Sequence, residues 1–372
     1  MGKTEFCAPC LFGLEGVLAK ELKDIEAENI RAENGRVLFS GDYNTLARAN
    51  ICLRTAERVC IVLGSFYAKT FDNLFEGTKR LPFERFIGKS NAFPVSGWSL
   101  DSKLFSVRDC QKIIKKAAVT RLSEKYKVSW FEETGSAVKI RFSILKDSVT
   151  IMLDTSGEPL HKRGYRAQST AAPIKETLAA AMVMLSRPYS DSTLYDPFCG
   201  SGTILVEGAL IAAGIAPGLK RRFAAENWGS VKPTAFKNER IKARESINRD
   251  IEFRAIGSDT DENAVALTLE NAEKAGVGEF ITARVADISD FSPATERGII
   301  VTNPPYGERL LDIDEARRLY GVCGRVFGKK HGYRYSVISP DEQFEQLFGR
   351  PADKRRKLYN GMLKCNLYMY FK

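Results

Sequence analysis

The sequence lacks several features that would assign it to a common class of site or compartment. It has only two histidines among 372 residues and no Gly-x-Ser-x-Gly elbow, so a catalytic triad has no support. Its apolar stretches near the start are interrupted by Glu15, Lys20 and Glu21, so we expect neither a secretory signal nor a membrane span. It contains no repeats and no low-complexity tracts. We therefore expect an ordinary globular protein of the cytoplasm.

Cysteine is present, but its spacing does not favour a metal or redox site. Eight cysteines in a chain without a secretory signal are expected to be reduced thiols. Cys7-Ala-Pro-Cys10 has redox or zinc spacing, yet no second pair follows, and only His161 and His331 could complete a ligand set. We predict no metal site and interpret the pair as part of a first strand.

Charge favours an anionic partner. Lys and Arg number 56 against 46 Asp and Glu, a net charge of +10, and nucleic acid is the commonest partner of a basic protein. Residues 101–127 hold eight basic and three acidic residues, and Ser106 with Asp109 predicts a capping box at the start of a helix over 106–126. Either a phosphate-contacting surface or a solvated helix face fits this segment. The candidate RNA contacts are Lys103, Arg108, Lys112, Lys115 and Lys116.

The two halves of the chain differ in pattern. The first 165 residues mix a helical stretch over 14–22 with short strand-like runs at 36–39, 59–63 and 138–144, which predicts small α+β modules. Residues 161–166, followed by Ala171-Ala172-Pro173, form the expected junction. Beyond it, alternating helices and strands predict a doubly wound, mostly parallel sheet.

The first chemical motif is a short strand, a glycine turn and a helix start. Such a turn presents backbone N–H groups and a helix N-terminus to a ligand. No Gly-Lys-Ser/Thr follows, and Leu205 stands where the dinucleotide fingerprint has its third glycine. An acid beside this turn suits a ligand with an amino group and no phosphate, such as S-adenosylmethionine. The candidate residues are Asp196, Pro197, Cys199, Gly200, Ser201, Gly202 and Thr203.

Two further strands end in carboxylates. Asp259, followed by Thr260, closes an apolar run and is expected to accept both ribose hydroxyls of the cofactor. Asp287, followed by Ile288, closes the next run and is a candidate acceptor for an adenine amino group. A single aspartate at a strand end is usually a helix cap, but three in order after a Gly-x-Gly turn indicate a cofactor site.

The strongest motif is Asn303-Pro304-Pro305-Tyr306, which directly follows the apolar run 299–302. Each proline forces the residue before it into an extended conformation. The Asn303 amide oxygen and the Pro304 carbonyl oxygen are therefore expected to converge on the two hydrogens of a planar amine, and Tyr306 is expected to stack on its ring. A general base is not required, because alignment of amine, methyl carbon and sulfur carries most of the catalysis.

At this point the sequence resembles a known family. The motifs above are similar to those of class I methyltransferases. The segments 10–15, 53–59, 102–117 and 355–362 look like those of THUMP-domain 23S ribosomal RNA guanine-N2 methyltransferases. Members of this RlmL/YpsC-like family are often labelled N6-adenine DNA methylases. The resemblance implies three domains: a ferredoxin-like module over 1–65, a THUMP RNA-binding domain over 66–160, and a Rossmann-like methyltransferase domain with an antiparallel last strand over 161–372.

The resemblance also implies roles for individual residues. Asp196, Gly200 and Gly202 would line the methionine part of the cofactor, and Pro173, Lys175 and Glu176 would pack over it. Asp259 would hold the ribose and Asp287 the adenine. Asn303, as the first residue of the catalytic tetrapeptide, would also border the cofactor.

The expected activity is methyl transfer from S-adenosylmethionine to the N2 amine of a guanine in RNA, with 23S ribosomal RNA favoured. Transfer RNA, an adenine N6 amine in DNA, a protein glutamine, and a non-catalytic RNA-binding assembly factor remain alternatives. One departure from the family is a long insert over 216–250 that includes Trp228; its stretch 220–250 holds nine basic and four acidic residues. It fits either a cap that faces the substrate or a solvated helical excursion.

Overall fold

Two seven-stranded β-sheets organise the part of the chain that the structure describes. The computed structural model describes residues 3–166, 173–187, 191–306, 312–328 and 332–371. Ala171 and Ala172 of the expected junction, and His331, lie outside these ranges. Within them, no helix combines the length and apolar character needed to cross a membrane.

The N-terminal sheet has the order β2-β3-β1-β4-β7-β6-β5, in which β5 and β6 run parallel and the other neighbours antiparallel. Strand β4 pairs with both β1 and β7, so one sheet continues through the two expected modules. Its strands are β1 Thr4–Pro9, β2 Glu28–Glu33, β3 Arg36–Gly41, β4 Cys60–Tyr67, β5 Val95–Leu100, β6 Ile140–Leu145 and β7 Ser148–Asp154. Its helices are α1 Glu15–Asp24, α2 Tyr43–Cys52, α3 Phe71–Lys79 and α4 Val107–Tyr126, with a 3-10 turn at Phe83–Arg85.

The basic helix α4 forms where the sequence predicts it, but the hydrogen bonding at its start differs from the prediction. Ser106 precedes α4, and its hydroxyl makes no cap to a backbone N–H of the described chain. The hydroxyl instead donates to Asp109 Oδ2 at 2.6 Å. The predicted capping box is therefore wrong, because a carboxylate one turn on is a charge-assisted acceptor for the hydroxyl proton.

Cys7 and Cys10 lie buried at β1, and burial raises the pKa of the Cys7 thiol to about 12.

The C-terminal sheet has the order β10-β9-β8-β11-β12-β14-β13 and confirms the predicted fold class. Its first five strands in this order run parallel, and β14 is antiparallel to β12 and β13. The strands are β8 Thr193–Asp196, β9 Arg254–Asp259, β10 Ile281–Val285, β11 Gly298–Thr302, β12 Tyr333–Ser339, β13 Lys354–Asn360 and β14 Leu363–Tyr370. The helices are α5 Glu176–Ser186, α6 Thr203–Ala212, α7 Pro233–Glu245, α8 Glu262–Ala275, α9 Ile313–Phe327 and α10 Phe344–Phe348, with 3-10 turns at Ala224–Asn227, Gly278–Phe280 and Ile288–Asp290.

The order of the strands in this sheet indicates where a ligand would bind. Strand β8 lies between β9 and β11, so the order reverses there, and ligands of such sheets bind beyond the carboxyl ends of the strands at this point. The aspartates and the asparagine predicted from the sequence all stand at or just after those carboxyl ends.

The basic insert over 216–250 packs against the N-terminal sheet and its helices. Glu239 of α7 is ion-paired with Arg48 of α2, with 2.7 Å between Oε2 and Nε. Trp228 is 2% exposed, and its indole N–H donates to the Ala137 carbonyl oxygen at 3.3 Å. These contacts bury one face of the insert between the two halves, whereas most of its basic residues, such as Lys237 and Arg244, are exposed. A substrate-facing cap and a solvated excursion both remain predictions.

Candidate active site

The glycine turn between β8 and α6 is shaped by backbone conformations that favour glycine. Gly200 and Gly202 have φ of +53° and +76°, and a Cβ on Gly202 would lie 2.8 Å from Thr268 Cγ2. Helix α8 holds the turn from the other side: Thr268 Oγ1 donates to the Gly200 carbonyl at 2.9 Å, and Asn271 Nδ2 donates to the Ser201 carbonyl at 2.9 Å. Sequence reasoning missed Thr268 and Asn271, because nothing in the pattern of a helix interior marks them. Pro197, Cys199, Ser201 and Thr203 are buried around this turn.

Asp196 is a buried carboxylate at the end of β8. Only 1% of the residue is exposed, and Oδ1 accepts from Thr302 Oγ1 at 2.6 Å and from the Phe198 N–H at 3.2 Å. Burial raises the pKa of Asp196 to about 7, and the neighbouring charge of Asp259 adds to the rise. Thr302 is the last residue of β11, so this bond joins the glycine-turn side of the site to the Asn-Pro-Pro-Tyr side.

Asp259, at the end of β9, is bound to the same turn. Its Oδ2 accepts from the Gly200 N–H at 2.9 Å, and its Oδ1 accepts from the Asp261 N–H at 3.1 Å. Each carboxylate oxygen can accept a second hydrogen bond, so both remain available to a ligand. Thr260 beside it is exposed.

Asp287 follows β10 at the same edge of the sheet and is exposed, whereas Ile288 is buried. Asp287 Oδ1 accepts from the Ser289 N–H at 2.8 Å, and the hydrogen bonds from Ser289 hold the pKa of Asp287 below its usual value. Asp287 is therefore an ionised acceptor at neutral pH.

Asn303 presents an unpaired polar atom just beyond the carboxyl end of β11. Its side-chain Oδ1 is buried and has no hydrogen-bond partner within the described part of the chain. Leaving a buried carbonyl oxygen unpaired costs about 1–3 kcal/mol, so such an atom at a strand end indicates a donor supplied from outside. Pro304 behind it is buried and Pro305 is half-buried.

Tyr306 is held in place by the last hairpin of the sheet. Its hydroxyl accepts from Asn360 Nδ2 at 2.7 Å, and burial raises the pKa of the Tyr306 phenol above its usual value. Asn360 ends β13 and lies 54 residues after Tyr306 in the sequence. The sequence did not mark Asn360 as part of the site.

The segment before α5 is joined to the glycine turn through Arg166. Arg166 Nη1 donates to the Ile174 carbonyl at 2.9 Å and to Thr203 Oγ1 at 3.1 Å, and its Nη2 lies 3.0 Å from Glu176 Oε2. Burial raises the pKa of Glu176. Lys175 Nζ lies 3.6 Å from Glu57 Oε2 of the N-terminal half. Pro173 is half-buried. Arg166 lies in the basic run 161–166, which the sequence analysis interpreted only as a domain junction. Its contacts with Ile174, Thr203 and Glu176 were therefore not predicted.

The predicted RNA contacts on and before α4 are not equivalent. Lys103, Arg108, Lys112 and Lys116 are exposed. Lys115 is half-buried, and its ammonium pairs with Glu133 and donates to the Phe93 carbonyl oxygen at 3.2 Å. The described residues contain no group of His, Cys, Asp and Glu suited to a metal ion.

The parallel sheet, its reversal at β8 and the polar residues at its carboxyl edge define a class I methyltransferase domain that follows an α+β N-terminal half. The chain belongs to the RMKL-like methyltransferase family, whose methyltransferase domain matches residues 163–369. The RlmL ferredoxin-like domain matches residues 5–60, and the THUMP domain matches residues 68–154. The family expected from the sequence motifs is thereby confirmed.

Similar proteins span the whole chain. "Putative RNA methyltransferase YpsC" of Bacillus subtilis is 43% identical over 100% of this chain and 97% of its own length. "Ribosomal RNA large subunit methyltransferase K/L" of Shewanella baltica (strain OS155) is 34% identical over 98% of this chain; the chain spans 52% of that relative. The crystal structure of SMU.472, described as "a putative methyltransferase complexed with SAH", is 39% identical with a TM-score of 0.93, covering 100% of this chain and 98% of that one.

Proposed function

We propose that this protein transfers a methyl group from S-adenosylmethionine to the exocyclic N2 amine of a guanine in RNA, with large-subunit ribosomal RNA the first substrate to test. The observation that carries the proposal is the buried, unpaired Asn303 Oδ1 at the carboxyl end of β11. The RNA named in YpsC and in the K/L methyltransferases supports the substrate class, and the THUMP match supports an RNA-docking N-terminal half.

The residues at the sheet edge fit the methyl donor. The turn at Gly200 and Gly202 follows directly on Asp196, whose buried carboxylate suits the amino group of the methionine part. Asp259 suits the ribose hydroxyls and Asp287 the adenine amine. The SAH held by SMU.472 and the membership of a methyltransferase family support this donor.

The chain's own residues align the reaction. When bound, the donor supplies a sulfonium-activated methyl carbon, which bonds to the amine nitrogen as the carbon–sulfur bond breaks and its electron pair stays on sulfur. Asn303 Oδ1 and the Pro304 carbonyl oxygen accept the two amine hydrogens and point the nitrogen lone pair at that carbon. Tyr306, with its hydroxyl fixed by Asn360, offers a ring for the base to stack on. The amine loses one proton to water after transfer.

The first experiment is methyl transfer from isotope-labelled S-adenosylmethionine to protein-free large-subunit ribosomal RNA, transfer RNA and duplex DNA, followed by nucleoside analysis. Label in N2-methylguanosine of ribosomal RNA is the expected result. Label in N2-methylguanosine of transfer RNA would change the substrate, and label in N6-methyladenine of DNA would also change the role of the N-terminal half. Donor binding without transfer to any of the three would refute the proposed activity.

The raised pKa of Asp196 makes donor binding depend on pH. Because the ionised carboxylate is the form that pairs with a ligand ammonium, and its pKa is about 7 in the free protein, affinity is lost as the pH falls through 7. Between about pH 7.5 and about pH 5.5, we expect the affinity for SAH, measured by calorimetry, to fall about tenfold or more. The Asp196→Asn variant should bind weakly with a flatter profile; a wild-type profile in this variant would contradict the assignment.

Neighbouring lysines of α4 should differ in RNA binding. Lys112 is exposed, and its 3.6 Å pair with Asp109 Oδ1 is a weak, solvent-exposed one. Lys112→Ala should therefore weaken binding of ribosomal RNA and reduce the slope of log affinity against log salt by about 0.7, the effect of one lost phosphate contact on single strands. Lys115→Ala removes the partner of Glu133 and should lower the melting temperature while leaving the salt slope unchanged. Filter binding at several salt concentrations measures the salt slopes of both variants, and thermal unfolding measures their melting temperatures. Equal changes in the salt slope for the two variants would show that pairing with Glu133 does not keep Lys115 from contacting RNA.

A further inference from the structure

The β13–β14 hairpin projects beyond the edge of the sheet that carries the site. Strand β14 pairs with β12 only as far as Asn366, opposite Ser339 at the carboxyl end of β12. The hairpin ladder continues past that point to the pair Asn360–Leu363. Since β11 and β12 are parallel, the hairpin tip stands at the same edge as Asn303.

The tip is joined to the candidate active site and braced by the N-terminal half. Asn360, the last residue of β13, donates to the Tyr306 hydroxyl of the catalytic tetrapeptide. On the other side, Arg356 Nε donates to the Gly13 carbonyl at 2.9 Å. A Cβ on Gly13 would lie 2.3 Å from the Lys357 carbonyl oxygen, so the two backbones touch. The hairpin is thus held at its base by the N-terminal half and near its tip by Tyr306.

An apolar side chain stands at the extreme of this element. The loop consists of Gly361, with φ of +64°, and Met362, whose side chain is 99% exposed, more than any other large apolar residue in the described ranges. Exposed Lys357 and Lys364 lie on the two strands behind it, and Phe12 of the N-terminal half packs on Tyr359 with ring centroids 6.0 Å apart. The tip therefore combines an exposed apolar side chain with cations suited to contacting phosphates.

The site itself requires the base to leave its stack. Asn303 Oδ1 is buried, and a guanine paired in a helix hides its N2 amine, so a paired target has to rotate out of the duplex. Unstacking a base costs a few kcal/mol, and proteins offset such costs by inserting an apolar wedge, methionine included, at the opened step.

We infer that Met362 is this wedge: it enters the RNA stack in place of the target guanine and keeps that guanine in the site, while Lys357 and Lys364 contact the flanking phosphates. The inference rests on the proposed function. Met362 is therefore a substrate-positioning residue, whose contribution is confined to targets that begin in a stacked duplex.

The test compares two RNAs made around the guanine that wild-type protein methylates: one synthetic single strand, and the same strand annealed to its complement. Met362→Ala should lower kcat/KM about tenfold on the duplex and stay within about twofold of wild type on the single strand. Met362→Leu, which keeps the apolar bulk, should stay within about threefold of wild type on both. Ile241→Ala removes an exposed apolar side chain from α7 and should change neither rate.

A second readout follows the base directly. With 2-aminopurine in place of the target guanine, wild-type protein should raise its fluorescence in the duplex, and Met362→Ala should not. Three outcomes would overturn the wedge while the proposed function stands. Met362→Ala could match the wild-type rate on both RNAs, it could lose the same activity on both, or the wild-type protein could methylate only the single strand. A wild-type protein that methylates no RNA would refute the proposed function and the wedge with it.

Discussion

Asn303→Ala is expected to lower kcat for methyl transfer by about 10²–10³ or more, while SAH binding stays within about twofold of wild type. The variant removes the buried, unpaired Oδ1 that is placed to accept an amine hydrogen, but it leaves the glycine turn, Asp196 and Asp259 intact. Single-turnover transfer to the RNA that wild-type protein methylates measures the first effect, and calorimetry with SAH measures the second.

Asn73→Ala is the matched control for that experiment. Asn73 is an exposed asparagine in α3 of the N-terminal half, so its replacement should change neither transfer nor SAH binding. Near wild-type transfer by Asn303→Ala would show that the amide does not orient the amine. Loss of SAH binding by this variant would show that Asn303 acts on the donor instead.

Arg163→Met is expected to lower the free energy of unfolding by about 3–5 kcal/mol, the cost of leaving one member of a buried ion pair without the other. Arg163 is 6% exposed, and its Nε lies 3.3 Å from Oε1 of Glu207, which is fully buried in α6. Arg163 also donates to the carbonyl oxygens of Leu160 and Arg54, so it links the two halves of the chain. Urea unfolding followed by tryptophan fluorescence measures the change.

The double variant Arg163→Met, Glu207→Met separates a charge effect from a packing effect. Replacing both members of a buried pair by apolar residues of similar volume is often neutral, so the double variant should recover more than half of the loss. A double variant as unstable as the sum of the two single variants would show that the carbonyl contacts of Arg163, rather than the uncompensated charge of Glu207, dominate the cost.

Much of the candidate site could be predicted because its residues follow strands in sequence order. Asp196, Asp259, Asp287 and Asn303 each stand at or just after the end of an apolar run, and the carboxyl ends of parallel strands meet at one edge of a sheet. Their roles toward donor and amine remain predictions until the variants are measured. The capping box at Ser106 failed because a local pattern does not reveal which of two acceptors a hydroxyl prefers.

Other residues could not be predicted because their partners are distant in sequence. Thr268 and Asn271 hold the glycine turn from the middle of α8, and Arg166 ties α5 to α6. No periodicity marks such contacts, since each depends on how two elements dock after they have formed.

The sequence by itself determined the family, the mostly parallel sheet and the order of polar groups along its edge, since strand periodicity and rigid Gly and Pro motifs are local properties of the chain. Only the tertiary structure decided three further points. It pairs Lys115 with Glu133 while Lys112 stays exposed, it packs the basic insert into the connection between the halves, and it sets the tip of the last hairpin beside Tyr306. These outcomes depend on burial and charge pairing between segments that meet only once the secondary-structure elements have packed together.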